Sequence, residues 1–337
     1  MPATLLRIVA LPVRGLAWLG GQGTRAIAAL VFIGIAVPPL GERLKPHVTE
    51  AIFLLLCISF LRVDLGALRG HLRRPGLVLA ATAWTTLAVP MISAVTWFAT
   101  GLDTRSPDLY LALMLQAVAS PMMASPALAA VMGLDSTLVL VTLVTSTVLI
   151  PITAPLFAYA FFGGALTLSP LGLGLKLAAI LAGSLLVSGA IRWYVGASAI
   201  KRHARPIDGL NVLFLFVFVA AVMGNVVGGF LADPVTTIEL TMLALAVFLV
   251  LLGFTALIFR KAGHERAMAL GLMVSQRNIG LMLAATDGVL PGTTWLYFAL
   301  SQFPVYLSPQ LLKTVVRKLG ERNAASVGNS TTPIRQA

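Results

Sequence analysis

The sequence predicts an all-α polytopic membrane protein: ten transmembrane helices in two inverted five-helix repeats, with the fourth and ninth helices discontinuous. Three observations carry that prediction. Mean hydropathy is +0.94, and 58% of residues are hydrophobic against 11% charged, where soluble chains carry roughly a quarter charged residues. The apolar residues fall in long runs, each close to the roughly 20 residues that a helix needs to cross a bilayer core. The basic residues cluster between runs and mostly on one side, which is the signature of membrane topology.

Residues 1–24 read as a cytoplasmic amphipathic segment lying on the membrane surface. Arg7, Arg14 and Pro12 interrupt its apolar stretch, so it does not resemble a cleaved signal. The first repeat, 25–163, holds spans at 25–41, 48–63, 76–100, 107–132 and 137–162. The second, 164–316, holds spans at 171–194, 209–231, 238–259, 267–290 and 293–312, and 317–337 is a polar, disordered cytoplasmic tail. Runs of this length are helices, because a lipid-exposed backbone must satisfy its own hydrogen bonds. With the N-terminus inside, 19 of the 24 Lys and Arg residues become cytoplasmic, Arg43, Lys45 and Arg105 are external, and Lys176 and Arg277 fall within spans. An odd number of spans destroys that bias, so both ends are expected in the cytoplasm of a multi-pass inner (plasma) membrane protein. Five spans per half gives the halves opposite orientations, hence the inverted repeat.

Composition and spacing also exclude functions. The formal charge of +12 is scattered through inter-span clusters and makes no nucleic-acid face. Cys57 is the single cysteine, so no intrachain disulfide forms, and no His or Cys spacing fits a metal site. Gly172 and Gly174 make a lone Gly-x-Gly inside a span, and no Walker motif accompanies it. No cofactor is expected, no acid/base pair shares a depth, and the chain does not read as an enzyme.

Two spans are poor helices for their length. The fourth contains Ser120-Pro121-Met122-Met123-Ala124-Ser125-Pro126, whose prolines remove backbone donors. The ninth contains Ser275-Gln276-Arg277-Asn278 in the middle of an apolar run. Interruptions at matching places in two halves point to a transporter's binding site, because unwound backbone is tolerated only where it lines a cavity. Arg277 lies near mid-depth, where arginine costs at least ~2.5 kcal/mol on insertion scales. Glu50, Glu239 and Asp287 lie near outer span ends and Asp64 and Asp135 near inner ones, so no carboxylate shares its depth. Its partners are then carbonyls at broken-helix ends, a water-filled cavity or a bound anion; structural and substrate roles both stand. The fifth span adds Thr142, Thr145, Ser146 and Thr147, for which packing and backbone bonding are the default role. Asn225 sits on a small-xxx-small stretch suited to close helix packing, and Gln116, Ser301, Gln302 and Tyr306 are weaker candidates. The candidate substrate or ion site is Ser120, Ser125, Thr145, Ser146, Ser275, Gln276, Arg277 and Asn278, with no metal ligand among them.

The run from Ala119 to Pro155 resembles the fourth and fifth spans of the bile acid:sodium symporter family. That family carries a Pro-Gly-Gly segment there, then Ser-Asn, a short turn with Asp or Asn, and Ser-Thr before two prolines. Leu61-Arg62-Val63-Asp64-Leu65 with the basic stretch to Pro75 looks like the family's linker between spans two and three, and Arg277-Asn278 and the tenth span are similar too. The resemblance covers nearly the whole chain. It implies a core domain of spans three to five and eight to ten, with crossing broken helices, beside a panel domain of the others. It also implies transport of organic anions, typically with sodium.

Laid on the family's landmarks, Ser125 matches the serine of its Ser-Asn pair and Asn278 keeps an asparagine. Pro126 replaces the other asparagine, while Val139 and Leu143 replace sodium-binding Ser and Thr. Met273 stands in place of a glutamate, and Arg277 and Thr85 in place of glutamines. Most of the side-chain oxygen shell for sodium is gone. The expectation is a sodium-independent carrier of small or amphipathic organic anions in which the Arg277 guanidinium occupies the seat of the ion. Retained sodium coupling through backbone ligands and Ser125 is a second reading, and a non-transporting membrane sensor or scaffold a third. The expected partners are an organic anion and the bilayer, with no nucleic acid and no obligate protein partner.

Overall fold

Every regular element among the described residues is helical, and the only β feature is one isolated bridge. The computed structural model describes residues 3–22, 29, 32–62, 75–162, 168–224, 226–308 and 312. Six helical runs among these are long and apolar enough to cross a bilayer: Pro38–Arg62, Pro75–Ala99, Ser136–Phe162, Pro170–Val195, Ala204–Ala232 and Pro234–Ile258. The chain is therefore a multi-pass membrane protein by helix length and hydropathy. The exteriors of these helices fit that solvent: Leu186 is 73% exposed, and Tyr159, Trp193 and Tyr194, at helix ends where aromatic residues mark the bilayer interface, are more than 80% exposed. Asn225, the polar tail and most of the basic linker after Arg62 lie outside the described residues.

In chain order the helices are α1 (Ala3–Gly21), α2 (32–36), α3 (Pro38–Leu44), α4 (Val48–Arg62) and α5 (Pro75–Ala99). Then come α6 (Pro107–Val118), α7 (Ser125–Val131), α8 (Ser136–Phe162), α9 (Pro170–Val195) and α10 (Ala204–Met223). The chain closes with α11 (Val226–Ala232), α12 (Pro234–Ile258), α13 (His264–Ser275), α14 (Ile279–Ala285) and α15 (292–308).

Two local features of the fold have physical causes. The segment expected to be amphipathic and on the membrane surface is helical and packs along α10. The backbones touch at Gly20 and Gly209, where a Cβ on Gly209 falls 2.0 Å from the Leu16 carbonyl oxygen; paired glycines permit this approach. The connection expected as a loop at 42–47 is mostly helix. Pro38 and Pro39 hold the preceding Val37 out of the helical region, at φ −125° and ψ 70°, and then start α3 at its first turn. That short helix crosses α10 with Gly41 against Gly224.

The buried apolar residues form two clusters. The first joins α4, α6, α9, α10 and α14 with the outer part of α8, the start of α12 and α15 from Trp295 to Leu300. The second is built from α5, α7, the start of α8, the end of α12, α13 and Leu312, and takes no residue from α1, α3, α4, α9 or α10. So α1–α4, α9 and α10 form one group of helices, and the rest form another. The groups join where α14 packs on α4 and α9 and where α9 packs on α8. Gly280 is pressed against Ile52 and Phe218, and Gly174 against Pro155 and the Pro151 carbonyl. At the same end, Lys176 pairs with Asp287 across the two groups, and the Lys45 ammonium sits 4.5 Å above the Trp295 ring.

Candidate functional site

The second group is organised around two interrupted helices. α6 stops at Val118, its cap residue Ala119 is extended (φ −62°, ψ 150°), and helix resumes at Ser125. α13 stops at Ser275, Gln276 is extended, and helix resumes at Ile279 with Asn278 as its N-cap. The non-helical segments cross as an antiparallel bridge between Pro121 and Arg277. Met122 N donates to Gln276 O at 2.8 Å, and Asn278 N donates to Ser120 O at 2.7 Å. Pro121 fits because it occupies the non-hydrogen-bonded position of the pair, where its missing N–H is not required. The bridge thus satisfies backbone groups that two helix breaks would otherwise leave exposed to lipid.

Side chains reinforce the crossing. Ser125 Oγ donates to Gln276 Oε1 at 3.1 Å, and Gln276 Nε2 donates to Ser308 Oγ at 2.8 Å. The relay therefore ties α7, the break between α13 and α14, and α15. Asn278 Oδ1 accepts from Leu281 N and caps α14. Ser275 spends its hydroxyl on Leu272 O. Gln116 Oε1 accepts from the buried Tyr297 hydroxyl at 2.6 Å, which locks α6 to α15.

Arg277 is 2% exposed. Its Nη1 donates to Ala119 O at 3.0 Å and to Thr85 O at 3.3 Å. Each carbonyl is available for a definite reason. Ala119 follows the last turn of α6, where carbonyls have no helical donor and carry the negative end of the helix dipole. Thr85 lies in a π-helical turn of α5, Trp84–Ala88, in which Val89 gives its N–H to Trp84 O. The next donor in that register belongs to residue 90, which is proline and has none. Thr85 O is thereby left to the guanidinium. The Thr85 side chain meanwhile bonds the Ala81 carbonyl, so it plays no part in holding Arg277.

Nε and Nη2 of Arg277 have no partner among the described residues, and neither is reachable by solvent. No Asp or Glu is buried among the described residues. The guanidinium is thus a sealed internal cation held by one helix-end carbonyl and one carbonyl freed in a π turn. Unpartnered hydroxyls on Ser120, Thr142, Ser146 and Thr147 are buried in the same helix group. Thr145 Oγ1 instead pairs with Thr82 Oγ1 at 2.7 Å, joining α8 to α5. The partly exposed rim of the crossing is Met122, Met123, Ala124, Pro126 and Asn278.

Of the eight candidate residues, then, the structure gathers Ser120, Ser125, Gln276, Arg277 and Asn278 at the crossing. It assigns Ser275 to its own backbone and Thr145 to the α5–α8 contact, and buries Ser146 on α8. Ser301 and Gln302 bond the Phe298 carbonyl. The sequence reading missed Ser308 and the Thr85 carbonyl; Pro90, five residues on, was the available signal for the second. An apolar groove of about 360 Å³ opens between α2, α11, α12 and α15, lined by Ile35, Val226, Phe230, Met242, Leu300 and Phe303 among others. Its two threonines, Thr237 and Thr241, turn their hydroxyls to their own helix. The chain matches no protein-family model, and no curated protein matches it at a significant level.

Proposed function

We propose that this protein is a secondary carrier of small or amphipathic organic anions that works by alternating access and without sodium. In this reading ten helices form two inverted repeats, and α6–α7 and α13–α14 are the discontinuous fourth and ninth spans. The observation that carries it is the tie from Arg277 to the Thr85 and Ala119 carbonyls at the crossing. Crossed broken helices with free carbonyls are how carriers coordinate a coupling cation at mid-membrane. Here a fixed guanidinium takes those carbonyls, and Val139, Leu143 and Met273, at the positions where the resemblance expects sodium-binding side chains, are almost fully buried and carry no side-chain oxygen.

Anions suit the site because the one buried charge among the described residues is positive and none of their carboxylates is buried to oppose it. An incoming ligand meets Asn278 and Met122–Ala124 on the rim, with the guanidinium field behind them. The apolar groove where the two helix groups meet supports an amphipathic substrate with an apolar body. Two hydrophobic clusters, one shared by the groups and one confined to a single group, support relative motion of the two. The protein is placed in the inner membrane with both ends cytoplasmic, in keeping with its basic inter-span clusters.

The test is uptake and counterflow in proteoliposomes of radiolabelled organic monoanions, from short carboxylates to amphipathic sulfonates, in sodium or choline medium. Saturable uptake at equal rates in both media is expected. Steep dependence on sodium contradicts the reading. No saturable flux and no counterflow for any anion points to a sensor or scaffold instead.

A further inference from the structure

Beside the apolar groove, the Lys176–Asp287 and Lys45–Trp295 contacts and the unpartnered hydroxyls of α8, the uncompensated charge of Arg277 has the widest physical consequence. We propose that Arg277 makes the empty carrier sensitive to membrane potential, so that an inside-negative potential holds the substrate-free protein with its site facing the cytoplasm. This rests on the alternating-access reading above.

A guanidinium keeps its proton in any protein environment, so this charge is permanent. It is built into the crossing of α6–α7 with α13–α14 by two carbonyl bonds and is 2% exposed. It therefore travels with its helix group and cannot stay behind. A coupling ion leaves an empty carrier; a covalent one does not. No buried carboxylate in the described residues moves with it to cancel the charge. The acids of the same group that are paired sit at helix ends, Asp135 with Arg266 and Asp287 with Lys176, where little of the field falls.

When a monoanion is bound, the moving group carries no net charge from this pair, and its transit is indifferent to potential. When the site is empty, the same transit carries one positive charge. Moving a full charge through 100 mV changes an equilibrium by roughly fifty-fold, and moving it through half the field by about sevenfold. The empty carrier accordingly waits on the negative side, ready to load anions from the cytoplasm, and returns outward with difficulty unless it carries one.

The test needs no known substrate. Cys57, the single native cysteine, is replaced by Ala. Met123, on the crossing rim and touching both hydrophobic clusters, is changed to Cys as a reporter. Substrate-free, right-side-out proteoliposomes are polarised with valinomycin and a potassium gradient in either direction, and an impermeant maleimide is added outside or, in parallel samples, enclosed in the lumen. The proposal predicts severalfold slower external labelling at inside-negative than at inside-positive potential. Arg277→Gln loses that dependence. Labelling from both sides that ignores potential overturns the proposal and leaves the carrier reading intact. Labelling from one side only, at every potential, overturns both.

Discussion

Replacing Arg277 with glutamine isolates the role of the guanidinium. In the native protein Nη1 serves two carbonyls, Ala119 O at 3.0 Å and Thr85 O at 3.3 Å, at residues that are each 1% exposed. The shorter glutamine side chain reaches one of them at best. Leaving one or two buried carbonyls unpaired costs about 1–3 kcal/mol each, a total of roughly 1–6 kcal/mol. Against this stands relief of the burial of a charge, worth at least ~2.5 kcal/mol on insertion scales. The net change in salt-free medium therefore runs from about 1.5 kcal/mol stabilising to about 3.5 kcal/mol destabilising.

Sodium makes the prediction sharp. The variant presents at least one free carbonyl and a new amide oxygen where the cation stood, with the unpartnered Ser120 hydroxyl one residue along the chain from Ala119. If sodium binds there with a dissociation constant about one-fifteenth of its concentration, linkage stabilises the variant by about 1.6 kcal/mol. Thermal unfolding of purified protein in sodium chloride and in choline chloride reads this directly. We expect a sodium-specific rise in Tm for Arg277→Gln and none for the native protein. A sodium-specific rise in the native protein, or identical responses in both, refutes the idea that the side chain stands in for the ion.

Three further predictions follow from individual contacts. Pro90→Ala supplies the N–H that α5 lacks, so the helix recaptures the carbonyls around Thr85 and Arg277 loses a charge-assisted bond; transport should fall while the helix content of the protein holds, and unchanged transport speaks against that positioning role. For Ser125→Ala, Gln276→Leu and the double variant, thermal unfolding should give a coupling of roughly 1–2 kcal/mol, and strict additivity would mean that the Ser125–Gln276 bond does not hold the crossing. Hydrogen bonds from the Thr236 hydroxyl and N–H at the start of α12 hold the Asp233 carboxyl below the usual carboxylate range. A depressed folded value means its contribution is complete above about pH 4 and is lost as pH falls through the folded value; Thr236→Val brings the folded value back toward the unfolded one and should shrink the loss of stability on acidification below about pH 4, and an unchanged loss rejects this capping role.

How far the sequence carried the account depends on the kind of signal. Helix positions were legible because lipid demands long apolar runs, and the six long helices start and stop within a few residues of the expected ends apart from the proline-started α3 and the early start of α10. The two breaks were legible because Pro121, Pro126 and the Ser275–Asn278 cluster are expensive anywhere else in a membrane helix. What could not be read was pairing. Nothing local says that Gln276 would reach Ser308 rather than a ligand, or that Arg277 would choose main-chain oxygens on α5 and α6 rather than open toward water. The π turn at Thr85 needed Pro90 to be read as a carbonyl set free rather than as a kink. Docking of α1 on α10 likewise rests on glycines nearly 190 residues apart, whose match is visible only in three dimensions.

The most direct measurement of the central claim is equilibrium binding of ²²Na⁺ to the purified native protein in detergent, with Arg277→Gln beside it. A guanidinium seated on the Thr85 and Ala119 carbonyls predicts no saturable sodium binding to the native chain and measurable binding to the variant. Saturable, competable sodium binding to the native chain would contradict the account at its root.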